Sequence, residues 1–266
     1  MWLGLLLAFF LVKGKSMSSP KTPLFGPDGI RGKVNNGRLN PESVLKLGMA
    51  IGILYRPTSD RERGRVLIAK DTRRSNYMLE YILVGGCTAT GMEVLPTGPV
   101  PSAALSWLVP SMRAHVGIML TAYEGLSDES GIVLFDAKGS KISKKDKKRL
   151  EDLLKEDLKP GLASGHGLGR AKRVDGAQDR YIEIIKSVLV RDLDLEGRRV
   201  VIDCAHGAAY KVAPRTLSEL GAEVVSMNVE PDGFNINDTC GINAPKAMAR
   251  LVHETQSGRP RIRGSG

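Results

Sequence analysis

Apolar positions along the chain switch between two periods, and the switches lay out the elements. Val44, Leu47 and Ile51 recur at helical spacing after the start signal Asn40-Pro41, which predicts a helix over residues 41–54. Residues 65–69 (Arg-Val-Leu-Ile-Ala) are a short apolar run that predicts a strand, and the helix predicted over 75–90 is closed by Gly91. A strand over 93–95, a Pro/Gly-rich loop over 96–101 and a helix over 102–108 follow. Then come a buried strand over 114–120, a strand over 132–135 and a charged helix over 144–156. This alternation predicts a mostly parallel sheet with helices on both faces.

Residues 161–169 hold four glycines and read as a linker or loose loop. Beyond it the periods resume: an amphipathic helix over 179–190, a strand over 199–204, a helix over 208–220 capped by Gly221, and a strand over 223–227. That is a second βαβ unit, which sets a boundary near residue 170. The fold class expected is α/β, as two consecutive α/β domains with mixed, mostly parallel sheets flanked by helices. The first spans 22–165 and the second 170–255, between an extension over 1–21 and a basic tail over 256–266.

Composition narrows the functional classes. The chain has 266 residues, 42% hydrophobic and 26% charged, which excludes disorder and fibrous classes. Its net charge of +10 admits nucleic acid, anionic membrane or phosphorylated metabolites as partners. Much of the excess is peripheral: Lys13 and Lys15, the run Lys144, Lys145, Lys147, Lys148 and Arg149, and Arg259, Arg261 and Arg263. The lysine run reads as a solvated helix face, aromatics are only 5%, and no nucleic-acid motif accompanies the charge, so no nucleic-acid partner is expected. Cys87, Cys204 and Cys240 form no CxxC and no even disulfide framework, which fits a reducing compartment, the cytoplasm.

Residues 2–12 are an apolar stretch, whereas a membrane span needs about 20 residues. No basic segment precedes it and no small-x-small cleavage site follows. Residues 1–16 therefore read as an upstream extension from a misassigned start, with a membrane anchor as the competing reading.

Two clusters carry candidate chemistry. Phe25-Gly26-Pro27-Asp28-Gly29-Ile30-Arg31-Gly32 combines glycines, which allow close backbone approach, with an arginine fork suited to phosphate oxygens. A glycine-rich turn with a surface arginine would look the same. Lys70-Asp71-Thr72-Arg73-Arg74-Ser75 lies at the carboxyl end of a predicted strand, where open α/β sheets bind ligands and a helix amino terminus favours anions. A capped helix start with charged neighbours is the competing reading.

The first cluster resembles the opening motif of the α-D-phosphohexomutases, in which Thr usually stands where this chain has Pro27. Residues 70–80, 98–101 and 201–241 are similar to that family too, so the likeness runs over about 22–255. It implies an isomerase that works by intramolecular phosphoryl transfer, in the branch that interconverts glucosamine 6-phosphate and glucosamine 1-phosphate. Its donor would be a phosphoserine in a Thr/Ser-Ala-Ser-His-Asn-Pro loop after a buried strand. Here the frame reads Thr121-Ala122-Tyr123-Glu124-Gly125, with Ala122 and Gly131 keeping the family spacing. Tyr123 therefore occupies the catalytic serine's place and Glu124 the histidine's. A tyrosine oxygen sits several ångströms further out and Glu124 adds negative charge, so no working phosphoenzyme is expected. Ser127 and Ser130 are nearby, but no spacing favours either as a donor.

The resemblance also implies Mg²⁺, held by an Asp-Gly-Asp-x-Asp-Arg loop shortly after residues 252–255. The chain instead reads Gln256-Ser257-Gly258-Arg259-Pro260-Arg261-Ile262-Arg263, so the second domain is expected to be incomplete and no metal is expected in this chain. Asp28, Asp71, Asp203 and Asp232 stand at no recognised ligand spacing, and no metal residue is assigned. Codons for residues 257–263 can be chosen so that a frame displaced by one nucleotide reads Arg-Ala-Asp-Leu-Gly-Phe-Ala. The tail is accordingly expected to be a reading-frame artefact. Arg31 and Arg73 are expected to face the Tyr123 loop as a small basic concavity that holds a sugar phosphate weakly. The competing function is a non-catalytic remnant that binds anions or partners. A homo-oligomer and association with further C-terminal domains both stay open.

Overall fold

Asn40 starts the first helix. Its side chain accepts a hydrogen bond from the Ser43 amide at 2.9 Å, and Pro41 occupies the first helical position, where no amide donor is needed. The structure is a computed structural model that describes residues 23–59, 63–188 and 195–255. The expected extension over 1–21, the basic tail over 256–266 and the predicted helix end at 189–190 lie outside the described residues.

The first unit comprises β1 (Ile30–Lys33), α1 (Pro41–Tyr55), β2 (Arg65–Lys70), α2 (Ser75–Ala89), β3 (Glu93–Pro99), α3 (Ser102–Ser111), β4 (Val116–Leu120), β5 (Glu129–Asp136) and α4 (Lys144–Leu153). Its five strands lie in the order β1-β5-β4-β2-β3. β2 pairs parallel with β3 and with β4, while β5 runs antiparallel to β4 and to β1. The continuous apolar text of β2 follows from this placement. Val66 and Ile68 enter one buried cluster with Leu47, Ile51 and Leu83, while Leu67 and Ala69 enter another with Leu105 and Leu108. A strand buried on both faces cannot alternate apolar with polar residues.

α1 and α2 approach closely because both present glycine at the contact. A Cβ at Gly86 would stand 2.7 Å from the Leu45 carbonyl oxygen, and one at Gly48 would stand 3.2 Å from the Gly86 Cα. Cys87 uses the same contact, donating its thiol to the Gly48 carbonyl at 3.4 Å.

Three features of this unit depart from the sequence pattern. The glycine cluster at 25–32 leads into strand β1: Gly26 and Gly29 close a tight turn, and a Cβ on Gly29 would stand 2.2 Å from the Ile132 carbonyl oxygen. Packing against β5 therefore demands that glycine. Residues 96–99, expected as loop, extend β3, and a register shift between Ile68 and Ala69 accommodates the prolines. Residues 161–169, expected as a loose linker, are strapped to the first unit. The amides of Ala163 and Gly169 donate to Ala89 and Thr88 at 2.8 and 2.9 Å, and Arg63 donates to the carbonyls of His166 and Leu168 at 3.2 Å each. Residues 170–174 then run beside β3, with Lys172 and Val174 donating to Val94 and Pro96 at 2.9 Å each.

The second unit holds α5 (Ala177–Val188), β6 (Arg199–Asp203), α6 (Val212–Glu219), β7 (Glu223–Met227) and α7 (Pro245–Thr255). β6 and β7 form a separate two-stranded parallel sheet. α6 begins later than its periodicity predicts. Ala205 and His206 take left-handed backbone (φ 48° and 52°), which turns the chain before a helix can form. α5 joins the units, because Ala177 packs in the cluster of Leu105 and Leu108 while Lys186 pairs with Glu219 of α6 at 2.8 Å.

Candidate functional site at the junction of the two units

The loop after β4 carries Tyr123 to the carboxyl edge of the first sheet, where open α/β sheets place their ligands. Its backbone is left-handed at Tyr123 (φ 51°), an uncommon state for a residue with a Cβ. Tyr123 is one of eight non-glycine residues with positive φ among the described residues, and Ala205, His206 and Asn237 are three others. These four meet at one junction: the Asn237 amide donates to the Ala205 carbonyl at 3.0 Å, and its side chain reaches the Tyr123 loop. Non-glycine residues in this region persist where surrounding contacts hold them, and they gather at functional loops.

Arg73 supplies most of those contacts. Its side chain has no exposed surface. It donates Nε to the Leu126 carbonyl at 3.2 Å, Nη2 to the Tyr123 carbonyl at 3.4 Å and to the Gly125 carbonyl, and Nη1 to the Asp71 carboxylate. Asp71 Oδ1 in turn accepts from the Arg73 amide at 3.0 Å and from Asn76 Nδ2 at 2.7 Å. Ser130, itself buried, donates to Asn76 Oδ1 at 2.5 Å and closes the network. A guanidinium so enclosed fastens the loop and presents no face to an external anion, so the expected role of Arg73 as a phosphate ligand is replaced by a loop-holding one.

Arg31 reaches the same loop from the other side. A Cβ added to Gly125 would stand 3.0 Å from Arg31 Nη2, and the guanidinium pairs with Glu129 at 3.1 Å with 36% of its side chain exposed. The two arginines singled out from sequence thus converge on the Tyr123 loop, one buried within it and one at its rim. Arg31 also lines a cavity of about 870 Å³ with Gly26, Asp28, Arg38, Lys144 and Lys147.

The second unit completes the junction. Asn237 Nδ2 donates to the carbonyls of Tyr123 at 2.7 Å and Gly125 at 2.9 Å. Thr72 Oγ1 donates to the His206 carbonyl at 2.6 Å, and the Arg74 amide donates to the Gly233 carbonyl at 2.9 Å. A cavity of about 480 Å³ opens between the units, lined by Tyr123, Glu124, Asp203, Cys204, Asn237 and Ile242 among others. Sequence reasoning missed Asn237 and Asn76. The available signal for Asn237 was an asparagine in a turn-rich stretch, the side chain that best tolerates left-handed backbone.

The aspartates weighed as metal ligands are engaged elsewhere. Asp203 accepts from the amides of Ala205 and Gly241 at 2.8 Å each and from Asn228 Nδ2 at 2.9 Å. Asp232 is held below the usual carboxylate range by the amides of Phe234 and Asn235. Among the described residues no group of three His, Cys, Asp or Glu side chains is placed to hold a metal ion. The described residues therefore offer no ligand set that fits Mg²⁺. Among the same residues no helix is long and apolar enough to cross a membrane.

Residues 22–160 match the family model for the phosphoglucomutase/phosphomannomutase alpha/beta/alpha domain I, and residues 179–258 match that for domain II. The chain belongs to the phosphoglucomutase/phosphomannomutase family. Within this family its curated relatives include phosphoglucosamine mutases from Bradyrhizobium sp. strain ORS 278 and Nitrobacter winogradskyi. Each is 52% identical, over 88% and 86% of this chain and 51% of its own length. A solved phosphoglucomutase/phosphomannomutase family protein from Burkholderia thailandensis shares the fold, with a TM-score of 0.71 and 21% identity over 88% of this chain and 51% of that one. The chain spans about half the length of the curated relatives it matches.

Proposed function

We propose that this chain is a phosphoglucosamine mutase-like protein that does not turn over. In this reading it keeps the fold and the loop frame of an enzyme interconverting glucosamine 6-phosphate and glucosamine 1-phosphate. It holds a sugar phosphate only weakly, at the rim of the Tyr123 loop beside Arg31. The observation that carries this is the state of the loop itself. Both the Tyr123 carbonyl and that of Gly125 are tied down by Arg73 and Asn237, in the loop whose motif spacing sets Tyr123 where the family's donor serine would be. In-line phosphoryl transfer requires the donor oxygen at one place, and a phenol oxygen extends well past where a serine oxygen would sit. Glu124, exposed beside it, places a carboxylate where phosphoryl oxygens would have to rest.

Arg31 is the cation best placed to meet an incoming phosphate, because its partner Glu129 is itself 40% exposed and the ion pair can open at little cost. All three thiols are free and buried, in keeping with a reducing compartment such as the cytoplasm. The competing reading, an active mutase, draws on the 52% identity to the curated enzymes. A mutase assay with glucosamine 6-phosphate, Mg²⁺ and a hexose bisphosphate activator separates the two. No product is expected from a homogeneous preparation, and steady turnover would establish the active reading.

A further inference from the structure

Glu80 and Lys70 form an ion pair away from the Tyr123 loop, with Nζ 2.5 Å from Oε2 and side chains only 8% and 5% exposed. The Lys70 ammonium also lies 3.6 Å from the centroid of the Tyr77 ring, so it is held between carboxylate and ring. This leaves Glu80 Oε1 buried without a hydrogen-bond donor. A buried carboxylate oxygen in that state costs stability unless a water or a ligand hydroxyl donates to it.

A cavity of about 360 Å³ adjoins this pair, within the size range of small-ligand sites, and its walls are chemically distinct. One wall is a face of α2: Tyr77, Glu80 and Tyr81, with Tyr77 47% and Tyr81 71% exposed. The opposite wall is the end of β3 and the segment running beside it, where Ala171 and Arg173 project to one side. The Arg173 guanidinium lies over Gly98, where an added Cβ would meet Nη2 at 3.4 Å. Arg173 has no carboxylate partner among the described residues, so Lys70, Glu80 and Arg173 leave the cavity with net positive charge.

We propose that this cavity is a binding site for a small hydroxylated anion, with a ligand hydroxyl donating to Glu80 Oε1 and the anionic group resting on Arg173. Tyr81 supplies an apolar ring face for the carbon skeleton. The site is separate from the Arg31 rim and does not rest on the function proposed above. The anionic group can be a phosphate or a carboxylate, since the fork of Arg173 accepts both.

Isothermal titration of the full chain with D-glucose 6-phosphate, D-glucuronate, D-glucose and inorganic phosphate tests this. At least one of the two hydroxylated anions should bind saturably and more tightly than either D-glucose or inorganic phosphate, and which one binds identifies the anionic group. Arg173→Ala, a change on an exposed side chain, should weaken that binding at least ~10-fold. Tyr81→Ala should weaken it too, whereas Lys148→Ala, on the exposed face of α4, should leave it unchanged. Absence of saturable binding would overturn the proposal. So would equal affinity for inorganic phosphate, or insensitivity to Arg173→Ala.

Discussion

Asn237 of the second unit donates its side-chain amide to the Tyr123 carbonyl of the first at 2.7 Å, and to the Gly125 carbonyl at 2.9 Å. The loop that would carry the family's donor is therefore shaped by residues from both units. Asn237→Ala should leave the two loop carbonyls with Arg73 as their remaining side-chain donor and cost about 0.5–1.5 kcal/mol. Urea denaturation reads that loss, and amide exchange at residues 123–126 should speed up while exchange in β2 and β4 stays slow. Unchanged protection of the loop would show that Asn237 does not hold it.

Arg73 is the stronger fastener. Replacing it with Met would strand the buried Asp71 carboxylate and release three loop carbonyls, at a cost of about 3–5 kcal/mol. Arg73→Lys should recover little of this, because a single ammonium cannot reach the carboxylate and the carbonyls together. Chemical denaturation of both variants checks the prediction, and a near-neutral Arg73→Lys would contradict it.

Burial pushes the Cys87 thiol up to about 12 from 9.0. Burial, and then the nearby Asp203 charge, pushes Cys204 up to about 11. Both thiols should stay protonated and slow toward disulfide reagents at neutral pH. In the unfolded chain they ionise near pH 9, so between about pH 9 and 12 the unfolded state binds fewer protons than the folded one. Stability should therefore be fully present below about pH 9 and decline as pH rises toward 12. Cys87→Ala should flatten that decline, and an identical alkaline profile would contradict the assignment.

Much of the fold was legible because its signals are local. α1, β2, α2 and β7 follow from periodicity and caps, and the short apolar run at 65–69 is a strand whose burial on both faces the packing then shows. The departures arise where long-range contacts override local text. Residues 161–169 read as a linker because glycine is abundant, yet those glycines let the chain lie close against α2 and Met92: a Cβ on Gly169 would stand 1.9 Å from the Met92 carbonyl oxygen. At the site, the positions of Tyr123, Arg31 and Arg73 came from motif spacing. What Arg73 does there depends on Asp71, Leu126 and Gly125 closing around it, and no linear pattern encodes that enclosure. Asn237 lies 114 residues from Tyr123 in the chain, beyond the reach of any spacing argument.

The central claim, that the Tyr123 loop no longer accepts a phosphoryl group, is tested most directly by intact-mass and peptide mass spectrometry. The purified chain would be incubated with Mg²⁺ and glucose 1,6-bisphosphate, alongside Tyr123→Ser. The account predicts no phosphorylated species in either protein, because restoring the hydroxyl leaves Glu124 in place and supplies no metal-holding group. A phosphopeptide containing residue 123 from the unaltered chain, formed in proportion to bisphosphate, would contradict it.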